Sequence, residues 1–142
     1  MHNFQLLNKI IVLLAFNLIL KISFTQEIYL DIKVFLEGPY TGTEMVTDLN
    51  AAGLLPLSQP YNEPPWNYEE TENVASIPGT DIVDWVLVEL RESFGDASSA
   101  GTSSRVARQA CFLRKDGHIV SIDGASPVLF NLNVTQHIYV IV

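Results

Sequence analysis

The sequence has a single cysteine and few histidines. Cys111 is the only cysteine among 142 residues, so no intrachain disulfide can form and side-chain packing must hold the fold. The three histidines, His2, His118 and His137, combine with one cysteine in none of the spacings of a zinc site. We therefore expect a domain without disulfide, metal site or cofactor.

Basic residues are also scarce. The chain has 8 Lys and Arg against 16 Asp and Glu, a formal net charge of −8. Residues 1–25 contain Lys9 and Lys21 and no acidic residue, so their removal leaves six basic and 16 acidic residues and a charge of −10. Such a surface repels a phosphate backbone, which excludes nucleic acid as an expected partner.

Sequence motifs of catalysis are missing. The chain has no Gly-x-Ser-x-Gly nucleophile elbow, and His118 and His137 lie beside predicted strand ends, where surface histidines are common. Cys111 lies between Ala110 and Phe112 and is interpreted as a small core residue. The sequence therefore predicts no enzyme, with the enzyme alternative resting on His118 and His137.

Four aspartates could supply oxygen ligands to calcium, but turn and hairpin roles explain them more simply. They form two pairs, and neither pair matches the twelve-residue calcium loop with its bidentate glutamate. The pairs are Asp81 with Asp84 and Asp116 with Asp123. We therefore predict no metal site.

Long apolar runs are confined to the start of the chain. Lys9 precedes the apolar run Ile10 to Leu20, and small and polar residues lead to Thr25, a pattern typical of a secretory signal peptide. The 11-residue run stops at Lys21, whereas a membrane span needs roughly 20 apolar residues. We predict cleavage near Thr25 and a secreted or cell-surface domain over 26–142, without a transmembrane anchor in the mature chain.

The mature chain has the alternating pattern of β-strands. From Ile28 to Glu37 the aliphatic residues fall on alternate positions, which predicts a half-buried strand, and Ile82 to Arg91 is apolar on both faces, which predicts a central strand. In that central strand, Ile82 is expected to share a face with Val86, and Val83 with Trp85. Asp116-Gly117 between Val106 to Arg114 and His118 to Asp123 predicts a hairpin. Short strands are also predicted at 128–132 and 138–142.

These elements predict one all-β domain, an antiparallel β-sandwich of immunoglobulin-like or similar type. A single helical turn near Asp48 to Ala52, capped by Thr47 or Asp48 and stopped by Gly53, is the most helix expected. Phe94 to Ser104 is rich in Gly, Ala and Ser, which indicates a flexible connection.

The last apolar segment, Ile138 to Val142, ends without a polar residue after it. Two interpretations follow. The strand is buried in the centre of the sheet and ends flush with it, or the residues that normally follow are missing and the chain is a fragment. An exposed apolar strand would be an aggregation hazard.

The segment from Pro56 to Tyr68 contains four prolines and three aromatic residues, Tyr61, Trp66 and Tyr68. Such a segment cannot be a central strand. Flat aromatic side chains on a rigid loop can stack on sugar rings or anchor a protein partner. They can equally fold inward and hold the loop, and this second interpretation is favoured.

Several segments together resemble a module of large secreted bacterial surface proteins that are often labelled hemagglutinins. The run around Trp85 is the most specific of them. The segments are LEGPY (36–40), GLLPLSQPYN (53–62), PWNY (65–68), IVDWVLVELR (82–91) and DGHIVSIDG (116–124). The resemblance implies secretion and a β-rich fold, and it supplies no catalytic residue. Similar modules continue beyond the final strand with sequence that is absent here.

Two functions follow as expectations. The first is a non-catalytic structural or adhesive module of a bacterial cell surface, with another surface protein or a glycan as partner. The second is a carbohydrate-binding module that uses Tyr61, Trp66 and Tyr68. A Trp66-dependent signal on a glycan array distinguishes the second from the first.

Overall fold

The computed structural model describes residues 25–142, and in this part the chain forms two antiparallel sheets. One sheet pairs β1 with β5, and the other has four strands in the order β4-β3-β2-β6. The strands are β1 Gln26–Leu30, β2 Ile82–Ser93, β3 Arg105–Arg114, β4 Ile119–Val120, β5 Val128–Leu132 and β6 His137–Ile141. The predicted all-β, sandwich-like class is confirmed. The predicted signal peptide, apart from Thr25, lies outside the described residues.

The one α-helix of the described chain is a single turn, α1, Asp48–Ala51. Thr47 is its N-cap residue, but the Thr47 side chain makes no capping hydrogen bond, so the expected side-chain cap is wrong. The N–H groups of Gly53 and Leu54 donate back to carbonyls of the last turn, both at 2.9 Å, which is the pattern of a Schellman stop. The helix thus ends at the predicted place.

The two sheets pack on each other through an apolar core, here called the sheet-face core. Every β2 and β3 residue in it points toward the β1–β5 sheet. Its buried members are Leu30, Met45, Val83, Val86, Val88, Leu90, Cys111, Leu113, Ile119, Val128 and Phe130. This packing supplies the expected sandwich, because each sheet buries one face against the other.

The first strand is shorter than predicted. β1 ends at Leu30, whereas the alternating pattern runs to Glu37. Beyond Leu30 the chain leaves β5 and crosses to the hairpin turn, where Lys33 bridges to His118 and the Val34 N–H donates to the Gly117 carbonyl at 2.9 Å. The alternation therefore continues in an extended segment that changes its pairing partner.

The opposite face of the four-stranded sheet is covered by a loop rather than by strands. Residues 55–79, here called the cover loop, pack on a second core, the loop-face core, which contains Trp85 and Phe112 with ring centroids 4.1 Å apart. The other buried members are Leu55, Tyr68, Ile82, Ala110 and Val120. The central strand is apolar on both faces because one face meets a sheet and the other meets this loop.

The predicted faces of β2 need one correction. Ile82 lies in the loop-face core and Val83 in the sheet-face core, the reverse of the alternation counted from Trp85. The pairing of β2 with β3 shifts register between Ile82 and Asp84. A bulge at this point turns the first residues of the strand over.

The predicted hairpin is present and joins β3 to β4. The Gly117 N–H donates to the Arg114 carbonyl at 2.9 Å in its turn. The connection from Phe94 to Ser104 contains two 3₁₀ turns, Ala97–Ser99 and Thr102–Ser104, so it has more local structure than its composition indicates.

The final strand lies at an edge of the four-stranded sheet. β6 pairs with Glu89 to Ser93 of β2 and has no strand on its other side within residues 25–142. The interpretation of a centrally buried terminal strand is therefore wrong. No helix among the described residues is long and apolar enough to cross a membrane.

Candidate functional site

A groove of about 450 Å³ opens beside β2 at the point where β6 ends. Its walls are mostly apolar, and both tryptophans of the chain line it. The groove is lined by Val34, Leu36, Tyr61, Trp66, Trp85, Val86, Leu87, Glu89, Arg91, Ile141 and Val142. An apolar concavity with a few polar groups is the usual form of a binding site.

Among the described residues, the part of β2 before Glu89, which lies opposite Ile141 of β6, has no strand paired along the groove. Side chains take the place of a strand along part of the uncovered edge. The Tyr61 hydroxyl donates to the Trp85 carbonyl at 2.8 Å, and Asp84 Oδ1 accepts from the Trp85 N–H at 2.8 Å. Asn50 Nδ2 donates to the Ile82 carbonyl at 3.1 Å. These bonds close the edge of β2 as far as Trp85.

The three aromatic residues singled out in the sequence have different environments. Tyr68 is only 3% exposed, and its hydroxyl donates to Glu72. Tyr61 is half-buried with its hydroxyl on β2. Trp66 is 49% exposed, and its ring meets the Tyr61 ring edge-to-face at a centroid distance of 5.4 Å. The structure thus brings Tyr61 and Trp66 together at the groove and places Tyr68 in the loop-face core.

The hydroxyl groups of both tyrosines are kept in the protonated form. Burial raises the pKa of Tyr61 well above its ordinary value. Burial, together with the hydrogen bond to Glu72, does the same to the pKa of Tyr68. Each tyrosine is therefore a permanent hydrogen-bond donor that fastens the cover loop to neighbouring groups.

The backbone of the cover loop is held to the sheet by side chains of β2 and β3. Trp85 Nε1 donates to the Pro56 carbonyl at 2.8 Å. Arg108 Nη1 donates to the Trp66 carbonyl at 2.6 Å, and Nη2 to the Asn67 carbonyl at 3.2 Å. The exposed Trp66 ring therefore stands on a backbone that Arg108 fixes in place.

The polar end of the groove is an ion-pair network that sequence analysis missed. Glu89 Oε1 lies 2.5 Å from Arg91 Nε, and Glu89 Oε2 lies 3.2 Å from Arg105 Nη1. Burial opposes ionisation of Glu89, but hydrogen bonds from Arg91 and Arg105 outweigh it and lower the pKa of the carboxyl. Residues 89 and 91 are two positions apart and so share a face of β2. This spacing of opposite charges is the feature of the sequence from which the ion pair could have been predicted.

His118, His137 and Cys111 lie apart from this groove. His118 follows the hairpin turn, with Nδ1 3.2 Å from Asp116 Oδ2 and Nε2 3.8 Å from Asp31 Oδ1. His137 begins β6. Cys111 is fully buried, and burial raises the pKa of its thiol to about 12, which is the environment of an inert core residue.

The aspartates with possible calcium-binding oxygens have turn and edge roles. Asp116 Oδ1 accepts from the His118 N–H at 3.2 Å, and Asp123 Oδ1 accepts from the Ala125 and Ser126 N–H groups at 2.9 and 2.8 Å. Within residues 25–142, no three His, Cys, Asp or Glu side chains are grouped so that they could hold a metal ion.

Comparisons with protein-family models, with curated proteins and with solved structures found no match for this chain.

Proposed function

We propose that the chain is a non-catalytic, secreted adhesive module of a cell surface that binds through the groove beside β2. The observation that carries the proposal is Trp66, a large aromatic residue left half exposed on a backbone held by Arg108. Exposed aromatic residues at the rim of an apolar concavity are typical anchors of binding surfaces. The Tyr61 ring supports the Trp66 ring from one edge.

Adhesion can be measured by agglutination of erythrocytes with beads that carry the purified protein. We expect agglutination by the wild-type protein and its loss in Trp66→Ala. Phe94→Ala is the matched control, because Phe94 is 79% exposed and does not line the groove. Equal agglutination by both variants, or none by the wild-type protein, contradicts the proposal.

A carbohydrate-binding module is the second candidate. The exposed fraction of the Trp66 ring favours it, since a sugar ring stacks on a flat aromatic face. A glycan array is the direct test. This candidate predicts binding to defined glycans that Trp66→Ala abolishes and Phe94→Ala retains, and an array without a Trp66-dependent signal excludes it.

Secretion rests on the N-terminal sequence. Intact-mass measurement of the exported protein tests it, with a mature chain that begins at Gln26 as the expected result. An exported protein that still begins at Met1 contradicts the proposed cleavage near Thr25.

A further inference from the structure

A second concavity, of about 390 Å³, lies where the end of β1 approaches β4, and we call it the β1–β4 pocket. No residue of β6 and none of the residues that line the groove takes part in it. Its polar and aromatic lining residues are Tyr29, Asp31, Arg114, Asp116 and His118. The volume is typical of small-ligand sites, so the pocket has room for one small molecule.

Backbone contacts hold the walls of this pocket in place. The Ile119 N–H donates to the Ile32 carbonyl at 3.2 Å, which ties β4 to the segment after β1. Val120 bridges to Pro127, which ties β4 to the turn that follows it. Sites for small ligands are usually preformed. The β1–β4 pocket meets this condition without any movement of its strands.

Two pairs of polar side chains in the pocket lie too far apart for direct hydrogen bonds. Arg114 Nη2 lies 3.5 Å from Asp116 Oδ2, and His118 Nε2 lies 3.8 Å from Asp31 Oδ1. Good N–H···O bonds span about 2.7–3.2 Å. Arg114 Nε is buried and has no hydrogen-bond partner among residues 25–142, which is an uncommon state for a buried donor. These groups therefore have unused capacity to bind a ligand.

The charges of the pocket oppose both anions and cations. Burial opposes ionisation of Asp116, but hydrogen bonds from His118 and the charge of Arg114 outweigh it and lower the pKa of the carboxyl. Asp116 is therefore a charged acceptor at neutral pH, and Asp31, with a side chain 92% exposed, adds a second carboxylate. The two carboxylates repel an anion, and the Arg114 guanidinium repels a cation. A neutral ligand that both donates and accepts hydrogen bonds meets neither penalty.

An aromatic ring and apolar side chains complete the pocket. Tyr29 is 61% exposed, and its hydroxyl donates to Glu27 Oε2 at 3.0 Å, which restrains the ring. Leu30 and Ile119 are apolar lining residues. A sugar ring has hydroxyl groups at its rim, each a donor and an acceptor, and an apolar C–H face that stacks on an aromatic ring. A neutral sugar therefore matches both the polar and the apolar parts of the lining.

We propose that the β1–β4 pocket binds a neutral sugar ring, which stacks on Tyr29 and places hydroxyl groups between Arg114 and Asp116 and between His118 and Asp31. One hydroxyl group can accept from Arg114 and donate to Asp116, and a second can bridge His118 and Asp31. The inference goes beyond the proposed function, because this site shares no lining residue with the groove.

The test follows NMR signals of the purified, isotope-labelled protein during titration with four neutral methyl glycosides, those of glucose, galactose, mannose and fucose. The amide signals of His118 and Ile119 report on the pocket, and the indole N–H signals of the two tryptophans report on the groove. Sodium acetate is titrated separately as an anionic probe.

We expect at least one glycoside to shift the His118 and Ile119 signals with a millimolar dissociation constant. Tyr29→Ala should weaken this binding at least about tenfold because the stacking surface is lost, and Asp31→Ala should do the same because an acceptor is lost. Both side chains are mainly exposed, so both variants should fold, which circular dichroism checks.

Phe94→Ala and Glu69→Ala are the matched controls for the aromatic and the acidic variant. Both residues are exposed and lie outside the pocket. We expect each control to bind the same glycoside as strongly as the wild-type protein does.

Three results would overturn the inference. The first is the absence of shifts at His118 and Ile119 with every glycoside. The second is binding that either Tyr29→Ala or Asp31→Ala retains at wild-type strength. The third is a response of the pocket signals to acetate alone, which identifies an anion site. Glycoside shifts confined to the tryptophan signals are a case of the first result, and they leave sugar binding at the groove intact as the second candidate function.

Discussion

The two faces of the four-stranded sheet are buried in different ways. The sheet-face core meets a second sheet, whose backbone groups are paired between β1 and β5. The loop-face core meets the cover loop, whose backbone has few strand neighbours and relies on side chains such as Trp85 and Arg108 for hydrogen bonds. The comparison teaches that an irregular segment can cover a sheet when polar atoms of the sheet residues satisfy its carbonyl groups.

The largest expected loss of stability comes from substitutions in the two cores, which test whether the loop-face core contributes as much to the free energy of unfolding as the sheet-face core. Phe112→Ala removes a fully buried ring packed on Trp85, and we expect it to lower the free energy of unfolding by about 3–5 kcal/mol. Leu113→Ala is the matched variant, since Leu113 is fully buried in the other core, with an expected loss of about 2–5 kcal/mol. Urea denaturation followed by circular dichroism measures both. A loss under about 1 kcal/mol for Phe112→Ala would show that the cover loop adds little.

A second pair of variants compares the packing around two glycines, Gly124 beside the cover loop and Gly117 beside the segment that follows β1. Gly124 and Gly117 both have positive φ, +78° and +86°. An alanine Cβ at Gly124 would lie 2.7–2.9 Å from Pro78, including its carbonyl oxygen, whereas at Gly117 it would meet the partly exposed Phe35 ring at 2.9 Å. We expect a loss of about 2–4 kcal/mol for Gly124→Ala and about 1–2 kcal/mol for Gly117→Ala. Thermal denaturation measures both losses. A larger loss for Gly117→Ala than for Gly124→Ala would contradict close packing of the cover loop against Gly124.

A third variant removes a single polar link between the cover loop and β2. Tyr61→Phe deletes the hydroxyl that donates to the Trp85 carbonyl, and we expect a loss of about 1 kcal/mol. Tyr40→Phe is the control, because the Tyr40 hydroxyl also donates to a carbonyl, that of Gly42, but at an exposed site. Urea denaturation should show a smaller loss for the control. Equal losses would mean that the hydrogen bond from Tyr61 to β2 stabilises the fold no more than the exposed hydrogen bond of Tyr40 does.

The smallest effect concerns pH and the Glu89 carboxyl. Its pKa is lowered in the folded protein, where bonds from Arg91 and Arg105 outweigh the opposing effect of burial. The stabilisation is therefore fully present above the ordinary pKa of 4.5 and is lost as the pH falls through the lower pKa of the folded state. Glu89→Gln should show a shallower loss of stability between neutral and acidic pH, and parallel pH profiles for the two proteins would contradict this assignment.

Strand positions could be predicted well because period-two alternation depends on burial of one face. β5 matches its predicted bounds, and β2, β3 and β6 match within two residues. The faces of Ile82 and Val83 could not be predicted, since a bulge leaves no mark in the alternation itself. The end of β1 was missed for a similar reason, because the extended segment after Leu30 keeps its alternation while it changes partners.

The candidate site was only partly visible in the sequence. Composition drew attention to Tyr61, Trp66 and Tyr68, but it could not separate the buried Tyr68 from the exposed Trp66. The difference in burial between Tyr68 and Trp66 depends on the path of the loop across the sheet. Arg108 helps to set that path through its hydrogen bond to the Trp66 carbonyl, although Arg108 is 42 residues from Trp66 in the chain.

Cys111 has a practical consequence for handling the protein. Its thiol is fully buried and has a raised pKa, so oxidants and alkylating reagents reach it only when the core opens. Two copies can be joined through this sulfur only after both have opened. A disulfide-linked dimer band on a non-reducing gel would therefore show that some molecules had unfolded enough to expose Cys111. The intensity of that band reports on the fraction of misfolded protein in a sample.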